Sequence, residues 1–235
     1  MAQETCATAR DSLPVAVDST AVDADAALRE ATMEAALNAV GSLGFRATSV
    51  RAILEHSGGH RAQFYRQFES KEDCFEQAYA AWIERLSVDL LEAAATAGGW
   101  REGVRAALAS LFEFVEERPL AARALLVEVQ VAGGPALAMH EDALDRLAAA
   151  IDSVREGIEP GDAPPAATGM FVIGGVEACV CEALAAGDPD RAWDSLPELM
   201  RFAVGSYLGR EAGAEELEAA RALVEQRRAE PEGAR

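Results

Sequence analysis

Five basic residues, Arg46, Arg51, Arg61, Arg66 and Lys71, fall between Gly44 and Lys71, with only Glu55 and Glu69 against them. That stretch therefore carries +3 in a chain of formal net charge -19, which leaves -22 for everything else. Guanidinium and ammonium groups gathered in this way suit one task above others, which is to replace the counterions on a nucleic-acid phosphate backbone. The acidic remainder repels a polyanion and restricts such contact to this one surface. Lys71 is the chain's single lysine. It stands in the first turn of an expected helix, where a cation opposes the helix dipole, so a contact outside the fold is expected for it. Catalysis finds little material. The three histidines are His56, His60 and His140, and there is no Gly-x-Ser-x-Gly elbow, no phosphate-binding glycine loop and no metal-ligand spacing. The expectation is no catalytic residue, no metal and no cofactor.

Residues 44–75 have the pattern needed to hold these charges in place. Thr48 is the expected N-cap of a helix whose apolar residues Val50, Ile53 and Leu54 recur at three and four. Gly58 and Gly59 end it near Ser57 in a tight reversal. In a second short helix Phe64 and Phe68 point inward, which leaves Arg61, Gln63, Tyr65 and Gln67 for solvent or for DNA. Ser70, with Asp73 three residues on, opens a third helix that continues through Cys74, Phe75 and Ala78. Ahead of the pair, Leu28, Ala31, Ala35, Leu37 and Val40 predict a supporting helix over 26–40 that stops at Gly41 and Gly44. Leu37, Val40, Phe45, Ile53, Phe64 and Phe68 are the expected small core.

These residues resemble the TetR family of bacterial transcriptional regulators, over roughly 28–80. The resemblance is most specific at Gly44-Phe45, Ala47-Thr48-Ser49-Val50, Ile53, Phe64-Tyr65, Phe68 and Ser70-Lys71-Glu72. It implies a three-helix DNA-binding head, a larger all-helical ligand-binding and dimerisation domain, and operator binding that changes when a small molecule binds. By position, Arg51, Arg61, Gln63 and Gln67 look like base or groove contacts, and Thr48, Tyr65 and Lys71 like phosphate contacts. The turn departs from the family pattern. Ser57-Gly58-Gly59-His60 lacks both an apolar plug and a side-chain N-cap, and Ala62 stands where glycine is common.

The rest of the 235-residue chain, half of it hydrophobic, reads as all-α. Residues 1–25 are expected to be a disordered tail without a signal sequence, 26–75 the helix-turn-helix domain and 76–230 the helical ligand-binding and dimerisation domain. The four cysteines show no zinc spacing. Cys74, Cys179 and Cys181 are expected as small core residues in a reducing cytoplasm. Helices are expected over 72–95, 100–117, 119–131, 135–158, 166–186 and 191–208, then a charged helix from Ala214. Trp82, Phe112, Glu128, Gln130, His140 and Phe171 are the candidate ligand contacts, for an apolar or cationic small molecule, since the surrounding acidity disfavours anions. The run 166–186 is apolar enough to raise a membrane span. Glu177 and Glu182 within it argue instead for burial between its own domain and a partner copy, with Gly174, Val176 and Phe202 at the seal of a homodimer. Partners are therefore double-stranded DNA at a palindromic site, the effector and a second copy, with no membrane. The alternative is a helical interaction module whose helix-turn-helix has lost operator binding.

Overall fold

Nine helices and no strand are present among the described residues, 19–158 and 163–229, of the computed structural model. α1 (Ser19–Leu43) enters a head made with α2 (Val50–Ser57) and α3 (Arg61–Gln67). α4 (Lys71–Ala95) leaves the head and runs into a body of α5 (Trp100–Glu117), α6 (119–132), α7 (Gly134–Asp152), α8 (Thr168–Ala186) and α9 (Arg191–Ala229). A 3-10 turn, Ser153–Gly157, follows α7. α1 begins at Ser19, so 19–25 are helical where a tail was expected; the remainder of that tail, and with it Cys6, lies outside the described residues.

The head does not own the core expected for it. Ala35, Ala36 and Ala39 of α1 pack with Ile53, Phe64, Phe68 and Cys74 in one cluster. Leu37 and Val40 face the other way, into the body core with Phe75 and Tyr79, and Phe45 packs against that core from outside. α1 is thus sandwiched between two cores, and its alanines, the least conspicuous apolar residues, make the head side. Ala31, expected inside, is exposed; its neighbour Thr32 is buried, with its hydroxyl donating to Leu28 O at 2.9 Å. α4 joins the same two cores end to end, with Cys74 in the head and Phe75, Tyr79, Ile83, Leu86 and Leu90 in the body. Burial, with the charge of Asp73 added to it, pushes the Cys74 thiol up to about 12, which leaves it an inert packing group.

The contact between α1 and α6 is unusually close. A Cβ on Gly41 would lie 2.0 Å from the Leu120 carbonyl oxygen, so the two backbones meet where only hydrogen fits. α6 itself is not uniform. Pro119–Arg123 is α-helical, Ala124–Glu128 forms a π-helical turn, and Val129–Ala132 resumes the α geometry. α9 breaks at Gly209 (φ 88, ψ 172) into limbs 191–208 and 210–229, so its second limb starts at once rather than at Ala214. The second limb folds back along the first. Gly205 and Gly213 pack backbone to backbone, Arg228 pairs with Asp194, and the Arg227 guanidinium sits 4.4 Å over the Trp193 ring. Arg101–Glu215 at 2.8 Å and Arg105–Glu216 at 3.1 Å then tie that limb to α5.

Candidate nucleic-acid interface and effector cavity

The α2–α3 pair is shaped by its own local bonds. Ser49, not Thr48, caps α2, its hydroxyl accepting from Ala52 N at 3.2 Å. Thr48 is buried instead, with its hydroxyl 2.8 Å from Gly44 O and 3.2 Å from Ala39 O, so it fastens the loop to α1 and offers nothing to a phosphate. α2 ends at Gly58, whose φ of 67 is cheap for glycine, and whose N–H donates to Leu54 O. A Cβ on Gly59 would come within 3.3 Å of Leu54 and 3.2 Å of Ser57, so those two side chains occupy the space of the missing apolar plug. α3 starts from His60 with no side-chain cap, as the turn sequence predicts.

Arg46, Arg51, Arg61, Tyr65 and Arg66 are all exposed. The Arg61 guanidinium lies 5.5 Å from the Tyr65 ring, and Tyr65, 47 % exposed, packs edge-on against the buried Phe64. One helical turn therefore presents a cation and a phenol together. Arg51 is held by Glu55 at 2.8 Å, which raises its pKa through that hydrogen bond and charge. Gln63 is half-buried on α3. Gln67 turns the other way: its side-chain NH2 donates to Asp25 on α1 at 3.2 Å, and its backbone carbonyl accepts from Arg29 at 3.0 Å. It ties α3 to α1 rather than facing a groove.

Lys71 is also spent inside. Its ammonium donates to Phe45 O and Thr48 O, both at 2.8 Å, and sits 4.8 Å over the Phe45 ring. Those bonds explain a cation in the first turn of a helix: it closes the carbonyls of the α1–α2 loop and fixes the angle at which α2 leaves. Lys71→Ala is expected to lower the unfolding free energy by about 1.5–3 kcal/mol, the range for hydrogen bonds to a charged group. The salt dependence of DNA binding should keep its slope. Urea unfolding and an anisotropy titration across salt concentrations measure the two, and a shallower slope would return Lys71 to the DNA surface.

In the body, α4, α5, α7 and α8, with Leu126 of α6, line a cavity of about 640 Å³ that is partly open to solvent. Leu86, Leu90, Leu108, Leu111, Leu144 and Ile173 form much of its wall, and Trp100 closes one end with its indole N–H donating to Ile151 O at 3.0 Å. Ser87, His140 and Glu177 are polar exceptions. The Ser87 hydroxyl is turned onto its own helix, donating to Ile83 O at 2.7 Å. His140 is fully buried, with Nε2 2.8 Å from Glu177 Oε1 and Nδ1 2.9 Å from the Tyr79 hydroxyl. That hydroxyl lies 3.2 Å from Leu125 O in the π turn. Burial first, and the Glu177 charge second, push the Tyr79 phenol well above its usual range, so it stays protonated and can serve only as a neutral bridge.

Of the six expected ligand contacts, His140 alone reaches this cavity. Phe112 is buried against Trp193, with ring centroids 5.7 Å apart. Trp82 is covered by Phe114 and by the guanidinium groups of Arg85 and Arg118. Gln130 is exposed on α6, and Phe171 is 65 % exposed on α8. Glu128 is buried at the joint of head and body, where Oε2 accepts the Phe45 N–H at 2.9 Å and Oε1 lies 3.5 Å from Arg123. Val176, expected at a dimer seal, is buried in the cavity wall, whereas Gly174 and Phe202 are exposed. The cavity's aliphatic wall escapes a sequence reading because leucines pass for plain core. Its signal is the small residues among them, Ala107, Ala143 and Ala150, which leave space between helices held apart by larger neighbours.

Residues 33–78 match the family model described as bacterial regulatory proteins, tetR family. No curated protein matches the chain in sequence. Solved structures resemble it in fold. The fatty acid degradation regulator FadR from Bacillus halodurans superposes with a TM-score of 0.66 at 13% identity, over 74% of this chain and 93% of that one. A gamma-butyrolactone receptor (ArpA-like protein) gives 0.63 at 17% identity, over 86% and 99%. A TetR family transcription regulator from Marinobacter aquaeolei VT8 gives 0.57 at 22% identity, over 85% and 96%.

Proposed function

Since the chain carries a tetR-family DNA-binding segment on the all-α fold of such transcription regulators, we propose that it is a homodimeric repressor released from a palindromic operator by a small molecule. The observation that carries this reading is the pairing of an exposed cationic α2–α3 surface with a partly open, largely apolar cavity in one continuous helical frame. Arg51, Arg61, Gln63 and Tyr65 contact DNA, with Arg46 and Arg66 beside them. A repressor of this kind works in the cytoplasm. One short recognition helix reads only a few base pairs, so specificity needs two heads about 34 Å apart on one face of the duplex. The faces that bring two copies together are the exposed stripes of α8 and the first limb of α9, with Met170, Phe171, Gly174 and Phe202. α8 is long and apolar enough to cross a membrane, but its other side, with Val172, Ile173, Val176 and Val180, is buried in the body.

The effector is apolar or cationic and occupies the cavity, whose volume suits a small-molecule site. The regulators of similar fold that are described by ligand or pathway concern fatty acid degradation and a gamma-butyrolactone; both words denote molecules with apolar parts, in keeping with these walls. Selection of bound fragments from random DNA should return a palindrome of two half-sites. Arg46→Ala, which removes an exposed cation beside those contacts, should then lower the salt slope of binding by about 0.9 for one phosphate no longer neutralised. Gln63→Ala should relax preference at one base position by about 1–3 kcal/mol while sparing random DNA. A selection that enriches nothing would leave the helical interaction module as the reading.

A further inference from the structure

We propose that the cavity selects amphiphilic cations, an apolar body ending in a protonated amine, and that Glu177 is the residue that selects them. The proposal rests on the reading of the cavity as the effector site and adds to it the chemistry of the ligand. The walls are aliphatic over four helices, and among the described residues the ionisable side chains lining the cavity are His140 and Glu177. The Glu177 side chain is three-quarters removed from solvent. One of its oxygens takes the His140 ring at 2.8 Å, and among the described residues no other hydrogen bond or ion pair reaches this carboxylate.

His140 serves Glu177 poorly as a counter-charge: the Tyr79 hydroxyl has one proton for two acceptors, Nδ1 at 2.9 Å and Leu125 O at 3.2 Å, and given to the nearer Nδ1 it leaves the ring neutral. The pair is satisfied with a neutral imidazole that donates from Nε2 and accepts at Nδ1. The carboxylate then keeps its charge and a free oxygen toward the cavity. A carboxylate in apolar surroundings lacks the solvation it had in water, and a ligand ammonium supplies both the missing donor and the missing charge. A fatty carboxylate would set a second anion beside the first. The net charge of -19 adds a long-range preference of the same sign. Glu177 is reached by the polar end of a ligand whose apolar part lies along Leu86, Leu90 and Leu108.

The test is calorimetry at neutral pH with three ten-carbon probes, decylammonium, decan-1-ol and decanoate, on the full chain and on Glu177→Gln. Decylammonium should bind the natural protein at least about tenfold tighter than decanol, the lower end expected for a desolvated charge pair, with decanoate weakest. Glu177→Gln should bring amine and alcohol to within about threefold while keeping the alcohol's affinity. Ala143→Trp, which fills the cavity, should remove amine binding; binding that survives it belongs to the acidic surface and overturns the assignment. Decanoate binding as tightly as decylammonium, or a preference that survives Glu177→Gln, overturns the choice of ligand while leaving the cavity as effector site. If none of the three binds, the effector site falls with it.

Discussion

Phe202→Arg should yield a folded monomer that holds an operator fragment about 100- to 10,000-fold more weakly than the natural protein. The expectation joins two steps, loss of the dimer and loss of avidity. Phe202 is 49 % exposed on the first limb of α9, and Phe171, on the adjoining α8, is 65 % exposed, so two large rings stand in solvent on neighbouring helices. Along α8, Phe171, Gly174 and Ala178 form one exposed stripe at helical spacing, and a Cβ on Gly174 would meet nothing within 4 Å. That pattern would let a second copy approach closely, and a guanidinium at position 202 on the neighbouring helix would oppose the approach. When the copies part, the second head no longer binds as part of the same molecule, and the avidity it conferred, on the order of 10²–10⁴, is lost. Sedimentation measures the first step and anisotropy on the selected operator the second. Val176→Arg provides the contrast, because that side chain is 5 % exposed and points into the cavity wall. It should destabilise the fold by burying an unpaired charge. A Phe202→Arg protein that sediments as a dimer would move the interface off these helices.

The other large effect is expected at Gly41. Gly41→Ala places a methyl 2.0 Å from the Leu120 carbonyl oxygen, inside contact distance of a backbone atom that no rotamer change can move. α1 and α6 must separate, at a cost of about 3 kcal/mol or more, the upper part of the range for overpacking. The separation also pulls the head away from the body, so DNA binding and effector binding should lose their coupling. Gly98→Ala is the control, since a Cβ there meets nothing within 4 Å; its urea midpoint should stay near the natural one. Equal midpoints for the two variants would mean that α1 and α6 do not touch in solution.

What the sequence made legible was set by signals that are local. Gly58 closes α2 and Ser70 caps α4, its hydroxyl accepting from Asp73 N at 3.1 Å, because caps and reversals are decided within four residues. The bounds of α5 fall where Gly99 and Pro119 put them. The residues that mislead are those whose role depends on distant partners. Lys71 and Gln67 look like surface donors on their own helices, yet find acceptors 26 and 42 residues away in the chain. Glu128 interrupts an apolar run and so announces a buried partner; that the partner is the Phe45 amide of the head, 83 residues back, no periodicity could say. Val176, expected at a seal and found in the cavity wall, illustrates the same limit. On an all-round apolar helix such as α8, spacing gives the faces but not which of them looks inward.

The π turn of α6 is a one-residue insertion in an otherwise α-helical element. A π turn holds one residue more than an α turn, so its loss or gain rotates one end of α6 against the other by about 100° and shifts it about 1.5 Å. Ala124–Glu128 has the Tyr79 hydroxyl 3.2 Å from the Leu125 carbonyl, and the head's Phe45 amide donates to the Glu128 carboxylate. The extra residue therefore sets the register of the helix: without it, the Leu125 carbonyl and the Glu128 carboxylate would no longer face the Tyr79 hydroxyl and the Phe45 amide together.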